Sequence, residues 1–153
     1  MTIEPPWAQT HNGKEVAREF ASVGRALMSK AFEGRRVLLV EDEAMIAMLL
    51  EDMLGDLGCE VVGPAYAIAP ALALASSEAA IDVAILDVNI AGRPVFEVAD
   101  ALRARRVPMI FSSGYGDSGL REVDRGAPVL GKPFRAGELA AALREALGEP
   151  RAS

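Results

Sequence analysis

Residues 81–89 read IDVAILDVN. Ile81, Val83, Ala84, Ile85 and Leu86 are apolar on both faces of an extended segment, which is how a strand buried on both sides of a parallel sheet reads. Asp87 is then the first polar group past the core. In open α/β sheets, ligands bind outside the carboxyl ends of the strands, so an Asp at such an end stands where chemistry usually sits. Asp also starts turns and caps helices, and the stretch alone leaves both readings open.

Toward the N-terminus, Val37-Leu38-Leu39-Val40 is a short apolar strand that runs into Glu41-Asp42-Glu43. Ala44 to Leu57 follows as a helix with Ile46, Leu49, Leu50, Met53, Leu54 and Leu57 on one face, and Gly58 is placed to end it. Cys59 to Val62 reads as a second strand closed by Gly63-Pro64, and alanine-rich Pro70 to Ser77 as a helix that tolerates Pro70 only near its first turn. Beyond Asp87, Val88 to Arg93 reads as a loop, and Pro94 opens a helix through Phe96, Val98, Ala99 and Leu102. Pro108 to Phe111 is a fourth strand ending in Ser112-Ser113-Gly114. Gly114 to Gly126, rich in glycine and charge, supports at most a short helix around Leu120 to Asp124. Pro128 to Leu130 is a brief fifth strand near an edge, and Gly137 to Leu147 a last helix with Leu139, Leu143 and Leu147 inside. Strand then helix, five times over, predicts an α/β fold, a doubly wound five-stranded parallel sheet with helices on both faces.

Residues 1–33 stand apart from residues 34–153, which carry this alternation. Met1 to Gly13 has no periodicity and reads as an arm, whereas Lys14 to Met28 places Val16, Phe20, Val23 and Leu27 at helical spacing. That extra N-terminal helix either packs on its own domain or offers a homodimer or partner contact, and both readings stay open. At 153 residues, 51% of them apolar and 25% charged, the chain is long enough for one domain with a substantial core. Its net charge of -6 argues against a large nucleic-acid surface. A single cysteine, Cys59, excludes an intrachain disulfide and a multi-cysteine zinc site. No stretch reads as a membrane span or a signal peptide, and the expected location is the cytoplasm.

The fold brings Glu41, Asp42, Asp87, Ser113 and Lys132 to neighbouring strand ends. Carboxylates brought together raise each other's pKa values unless a cation shares them, and Mg²⁺ is the natural hard partner. An Asp beside such a metal can act as a nucleophile toward phosphorus, with Lys132 and the Ser113 hydroxyl supplying charge and a hydrogen bond to the phosphoryl oxygens. Through VLLVEDE, AILDVNI, PMIFSSG and VLGKPF, the chain resembles a bacterial response-regulator receiver domain of two-component signalling over roughly Gly34 to Leu147. The resemblance implies a flavodoxin-like strand order of 2-1-3-4-5. It makes Asp87 the phosphoacceptor and Asp42 a direct Mg²⁺ ligand, with Glu41 acting through water and the Asn89 backbone carbonyl completing the metal set. Ser113 takes the switch position, Lys132 the lysine position, and Lys132-Pro133 is expected as a cis peptide.

Two departures qualify that likeness. The aromatic that in the family precedes the lysine by three positions is Val129 here, so a tyrosine-type switch at that place is not expected. Phe111 to Gly116 is instead similar to the receivers with a Phe-Ala-Thr-Gly motif, in which the fourth helix is altered, and Tyr115 either takes over switching or gating or merely packs on the surface. Arg135 stands where a capping Asp or Ser is common, which predicts a less firmly capped last helix. Only six residues follow Leu147, too few for a DNA-binding module. The expected role is a single-domain regulator phosphorylated by a histidine kinase that signals through a protein partner, or relays or drains phosphate through another carrier. It is not expected to be an enzyme beyond phosphoryl transfer to itself and its own dephosphorylation. The alternatives are a phosphorylation-independent pseudo-receiver and an aspartyl-nucleophile phosphatase of the haloacid-dehalogenase kind. The latter usually has an acid where Asn89 stands.

Overall fold

The computed structural model describes residues 32–77 and 79–148. The N-terminal arm and the helix expected over Lys14 to Met28 lie outside the described residues. Five apolar-rich segments form one parallel sheet: β1 (Arg36–Val40), β2 (Glu60–Ala65), β3 (Val83–Asp87), β6 (Met109–Ser113) and β7 (Val129–Gly131), in the order β2-β1-β3-β6-β7. With two short extra strands set aside, this is the flavodoxin-like 2-1-3-4-5 order. Every residue of β3 and of β6 is buried, as expected of strands in the middle of a sheet covered on both faces.

Residue alternation along the strands sorts the core into two layers. Leu39, Ile85 and Ile110 point to the face covered by α1 (Ala44–Asp56) and α4 (Ala136–Leu147), where Leu50, Leu54, Leu139 and Leu143 meet them. Phe32 is fully buried in this same layer. Leu38, Leu86 and Phe111 point to the opposite face, covered by α2 (Ile68–Ala75) and α3 (Phe96–Ala104) through Ala71, Ala75, Val98 and Leu102. Each fully buried Leu, Ile or Phe contributes about 1.5–3 kcal/mol, so both layers hold the sheet.

Several boundaries differ from the sequence reading. The second strand does not close at Gly63-Pro64 but continues through that cis peptide to Ala65. Proline is tolerated there because β2 is an edge strand. Gly63 is required, since at φ +97 a Cβ would lie 2.8 Å from the Ala65 nitrogen. Helix α2 starts at Ile68, which puts Pro70 inside the first turn. The stretch expected as a loop contains a hairpin of β4 (Asn89–Ile90) and β5 (Arg93–Pro94), so Pro94 ends a strand and α3 begins only at Phe96. The third strand starts at Val83 rather than Ile81. Helix α1 stops as expected: Gly58 is left-handed, and the Cys59 and Gly58 N–H groups donate to the Leu54 and Gly55 carbonyls at 2.9 and 3.0 Å.

The fivefold alternation fails in one place. Between β6 and β7 the described chain has no α-helix, only a 3-10 turn over Glu122–Asp124, because the glycines of this crossover disfavour a longer helix. At Arg135 the arginine side chain has no oxygen to accept a capping bond, yet the Glu138 carboxylate accepts from the Arg135 N–H at 3.2 Å. The last helix therefore keeps half of a capping box. Among the described residues no helix is long and apolar enough to cross a membrane.

Candidate functional site

Register carries the polar residues to one level. Val40 pairs with Leu86, Asp87 with Ser112, and Ser113 with Gly131, so the chain leaves β1, β3, β6 and β7 side by side at their carboxyl ends. Glu41 and Asp42 follow β1, Asp87 ends β3, Ser113 ends β6 and Lys132 follows β7. The carboxylate oxygens of Glu41, Asp42 and Asp87 lie within 4.8 Å of one another. The Lys132 ammonium donates to Asp87 Oδ2 at 2.9 Å and to Glu41 Oε2 at 3.1 Å. The peptide from Lys132 to Pro133 is cis.

The acids are crowded and poorly hydrated. Glu41 is 1% exposed, and burial first, then the charge of Asp87, push its carboxyl up to about 7 despite the opposing bond from Lys132. For Lys132, burial favours loss of the proton, but the bonds to Asp87 and Glu41 outweigh it and raise the pKa. Three hard oxygen donors around a place already answered by one ammonium fit a hard divalent cation of the Mg²⁺ kind.

Around this cluster lies a cleft of about 650 Å³ lined by Asp42, Asp87, Asn89, Ser113, Tyr115 and Lys132. All the residues singled out from the sequence for the site are thus brought together, with Glu41 beneath them at the foot of Lys132. Ser113 is buried and its Oγ accepts from the Tyr115 N–H at 3.0 Å. Tyr115 is 86% exposed and stands at the mouth rather than packing on a neighbour. The Asn89 N–H donates to Asp87 Oδ1 at 3.2 Å, which fixes the carboxylate plane. Val129 is half-buried in β7, away from the cleft lining.

Sequence reasoning missed Ala91 altogether and read Gly119 only as a glycine that lends freedom to the segment after Ser113. Ala91, at φ 51, turns its N–H to Asp42 Oδ2 at 3.0 Å, a bond made from the tip of the unforeseen β4–β5 hairpin. Gly119 also lines the cleft, and a Cβ built on it would touch a Val88 methyl at 3.4 Å. The glycines of this segment were the available signal, because close backbone approach is one reason for glycine. Cys59, the one thiol, starts the chain into β2 at the other end of the sheet, and burial pushes it up to about 11, so it is unreactive at neutral pH.

The chain matches the family model of the response regulator receiver domain over residues 37–144. Transcriptional regulatory protein PdtaR of Mycobacterium tuberculosis is 33% identical over 121 residues, covering 76% of this chain and 58% of PdtaR. The chain thus spans little more than half the length of that relative. The solution structure of SdrG from Sphingomonas melonis is 43% identical with a TM-score of 0.67, over 74% of this chain and 97% of SdrG. The receiver domain of sensor histidine kinase PA1611 from Pseudomonas aeruginosa, solved with a magnesium ion coordinated in its active-site cleft, is 27% identical. It has a TM-score of 0.63 over 76% of this chain and 99% of that domain. The family match runs from Val37 in β1 to Arg144 in α4 and so takes in every strand end that opens on the cleft; this chain belongs to the response regulator receiver-domain family of two-component signalling.

Proposed function

We propose that this chain is a response regulator receiver whose Asp87 accepts a phosphoryl group from a histidine kinase, and that the signal leaves through a protein partner or by onward transfer of the phosphoryl group. The observation that carries this reading is the Lys132 ammonium held 2.9 Å from Asp87 and 3.1 Å from Glu41 at the bottom of an open cleft. A carboxylate held beside a cation, reachable from solvent and aligned by a backbone N–H, is a nucleophile poised for phosphorus.

An Asp87 carboxylate oxygen forms the new O–P bond while the N–P bond of a phosphohistidine breaks, its electron pair staying on the imidazole nitrogen. Lys132 stays paired with Asp87 as the phosphoryl charge arrives, and its third N–H, not used by Asp87 or Glu41, turns to a phosphoryl oxygen. The Ser113 oxygen accepts from Tyr115, which leaves the hydroxyl proton to be given to a phosphoryl oxygen. Asp42, Asp87 and the Asn89 carbonyl, with Glu41 acting through water, would hold Mg²⁺, which would neutralise charge on the phosphoryl oxygens when bound. Asn89 and Tyr115 flank the approach of water to the acyl phosphate and tune how long it lasts.

Beside the acid pair, Met45, Met48 and Leu49 on α1 and Tyr66 after β2 are exposed apolar side chains. They form an apolar rim on which a histidine-bearing partner helix can rest while its phosphoryl group enters the cleft. The receiver unit is assigned to residues 34–153 and the appended segment to residues 1–33, of which Phe32 is buried in the receiver core. The test is phosphate incorporation from acetyl phosphate or phosphoramidate, with and without Mg²⁺, in the native chain and in Asp87→Asn. Metal-dependent labelling that disappears in the variant is the expected result. Labelling that survives Asp87→Asn would remove the assignment.

A further inference from the structure

The crossover from β6 to β7 has two halves of opposite character. From Gly114 to Gly119 all six residues are exposed, and no side chain of this strap reaches the core. Gly114, Tyr115, Ser118 and Gly119 line the mouth of the cleft, and Gly119 lies against Val88, the residue after Asp87. From Leu120 onward the chain is fastened. Leu120 is buried in the layer under α2 and α3, and the Asp124 side chain is fully buried.

That fastening is an ionic cluster. On α3, Phe96, Asp100 and Arg103 fall on one stripe at i, i+4 and i+7. From the crossover, Arg121 Nη2 and Nη1 donate to the two Asp100 carboxylate oxygens at 2.8 and 3.3 Å, and the Arg121 guanidinium sits 4.5 Å from the centre of the Phe96 ring. Asp124 accepts from Arg121 Nε at 2.8 Å and from Arg103, which also donates to Asp100 at 3.3 Å. Two carboxylates and two guanidiniums close a ring of pairs with no charge left over.

We propose that this cluster is a clamp that replaces the absent crossover helix: Arg121 and Asp124 are positioning residues that hold the Gly114–Gly119 strap across the mouth of the cleft and thereby set how exposed Asp87 is to water and to phosphodonors. Among the described residues the strap is tied to the rest of the chain at its ends, by the Tyr115 N–H donating to Ser113 Oγ at 3.0 Å and the Leu120 N–H donating to the Asp117 carbonyl at 3.0 Å, while the Ser118 hydroxyl donates to the Tyr115 carbonyl within it at 2.8 Å. Its position is therefore decided at its two ends, by β6 and by the buried Leu120 with the clamp that follows it. Loosening the clamp leaves Leu120 to hold that end without the ion pairs beside it, and the strap moves off Val88 more readily. The part of this inference that concerns phosphate lifetime rests on the function proposed above.

The experiment compares the native full-length chain with Arg121→Met, which keeps side-chain length, Arg121→Lys, which keeps charge, and Asp100→Asn, which keeps shape. Amide hydrogen exchange over residues 114–119 is measured without any phosphodonor, and the hydrolysis rate of the acyl phosphate is measured after acetyl phosphate labelling. The expected result is exchange of the Tyr115 amide, the strap N–H bonded to Ser113, at least fivefold faster in Arg121→Met, with β1 and β3 unchanged, and hydrolysis about threefold to tenfold faster. Arg121→Lys recovers part of both changes, and Asp100→Asn moves both in the same direction by less. Should Arg121→Met fail to fold, Asp100→Asn and Arg121→Lys still give the sign. Unchanged strap exchange in the folded variants would overturn the clamp. Faster exchange with unchanged hydrolysis would overturn its control of Asp87. Faster exchange in a chain that takes no phosphate at all would support the clamp and remove the phosphorylation reading instead.

Discussion

At the strand ends Glu41 and Asp87 share Lys132 while Asp42 stands beside them, whereas between α3 and the crossover Asp100 and Asp124 share Arg103 and Arg121. In the first cluster Glu41 is pushed up to about 7, by burial and then by Asp87. In the second, the hydrogen bond from Arg121 pulls Asp100 below the usual range, and the bonds to Asp100 and Asp124 hold Arg121 above its own. Carboxylates in excess leave the strand-end cluster with unused affinity for a cation and for the phosphoryl group that a cation can shield. Matched charges leave the other cluster with only a holding role. Substitutions in the two clusters are therefore expected to change stability in opposite directions.

The largest effect should come from breaking the balanced cluster. Arg103→Met removes one of two cations from the fully buried Asp124 side chain, and such a loss costs about 3 kcal/mol because the remaining charge cannot be resolvated. Urea unfolding should show a lower midpoint with an unchanged slope. At the strand ends the sign reverses. Without Mg²⁺ at pH 8, Glu41→Gln removes a buried charge held against Asp87, and the chain should be stabilised, with a higher midpoint in the same assay. Added Mg²⁺ should then stabilise the variant less than the native chain. A destabilised Glu41→Gln would mean that the acids are already balanced and the contrast false.

This contrast was half legible in the sequence. The strand-end cluster could be read because each member terminates a local apolar run: Val37 to Val40 before Glu41, Val83 to Leu86 before Asp87, Met109 to Phe111 before the serines. Strand order came from resemblance, since five short strands do not by themselves state their neighbours. The balanced cluster could not be read. Arg103 and Asp124 are 21 residues apart, and an Asp in a charged, glycine-rich stretch looks like a solvated loop residue until tertiary packing buries it. The β4–β5 hairpin and the passage of β2 through Pro64 were hidden for a related reason. The passage of β2 depends on its being an edge strand and the hairpin on a pairing of its own outside the parallel sheet, and turn residues alone reveal neither.

Titration sharpens the comparison without a substitution. The folded pKa of Glu41, about 7, lies above its ordinary 4.5, so the folded chain binds this proton more tightly than the unfolded chain does. Without metal, stability should fall as pH rises from about 4.5 to about 7 and then level off, a fall that Glu41→Gln should abolish. Thermal unfolding in EDTA between pH 5 and 8 reads this, and saturating Mg²⁺ should flatten the curve.

The smallest effect belongs to Asp100. Its pKa is lowered by the Arg121 bond, so it binds a proton less readily folded than unfolded. Its contribution is complete above the ordinary aspartate range and is lost as pH falls below that range toward the lowered value. Because its side chain is 59% exposed, solvent screens most of that contribution, which should be only about 0.5 kcal/mol. Asp100→Asn should therefore match the native chain's stability more closely at pH 3 than at pH 6, and 0.5 M salt should narrow the gap at pH 6. The slopes of the two clusters have opposite signs in separate pH windows. A metal-free chain in which both give the same sign would show that Glu41 is already neutralised by Lys132, and that the strand ends keep no spare affinity for a cation.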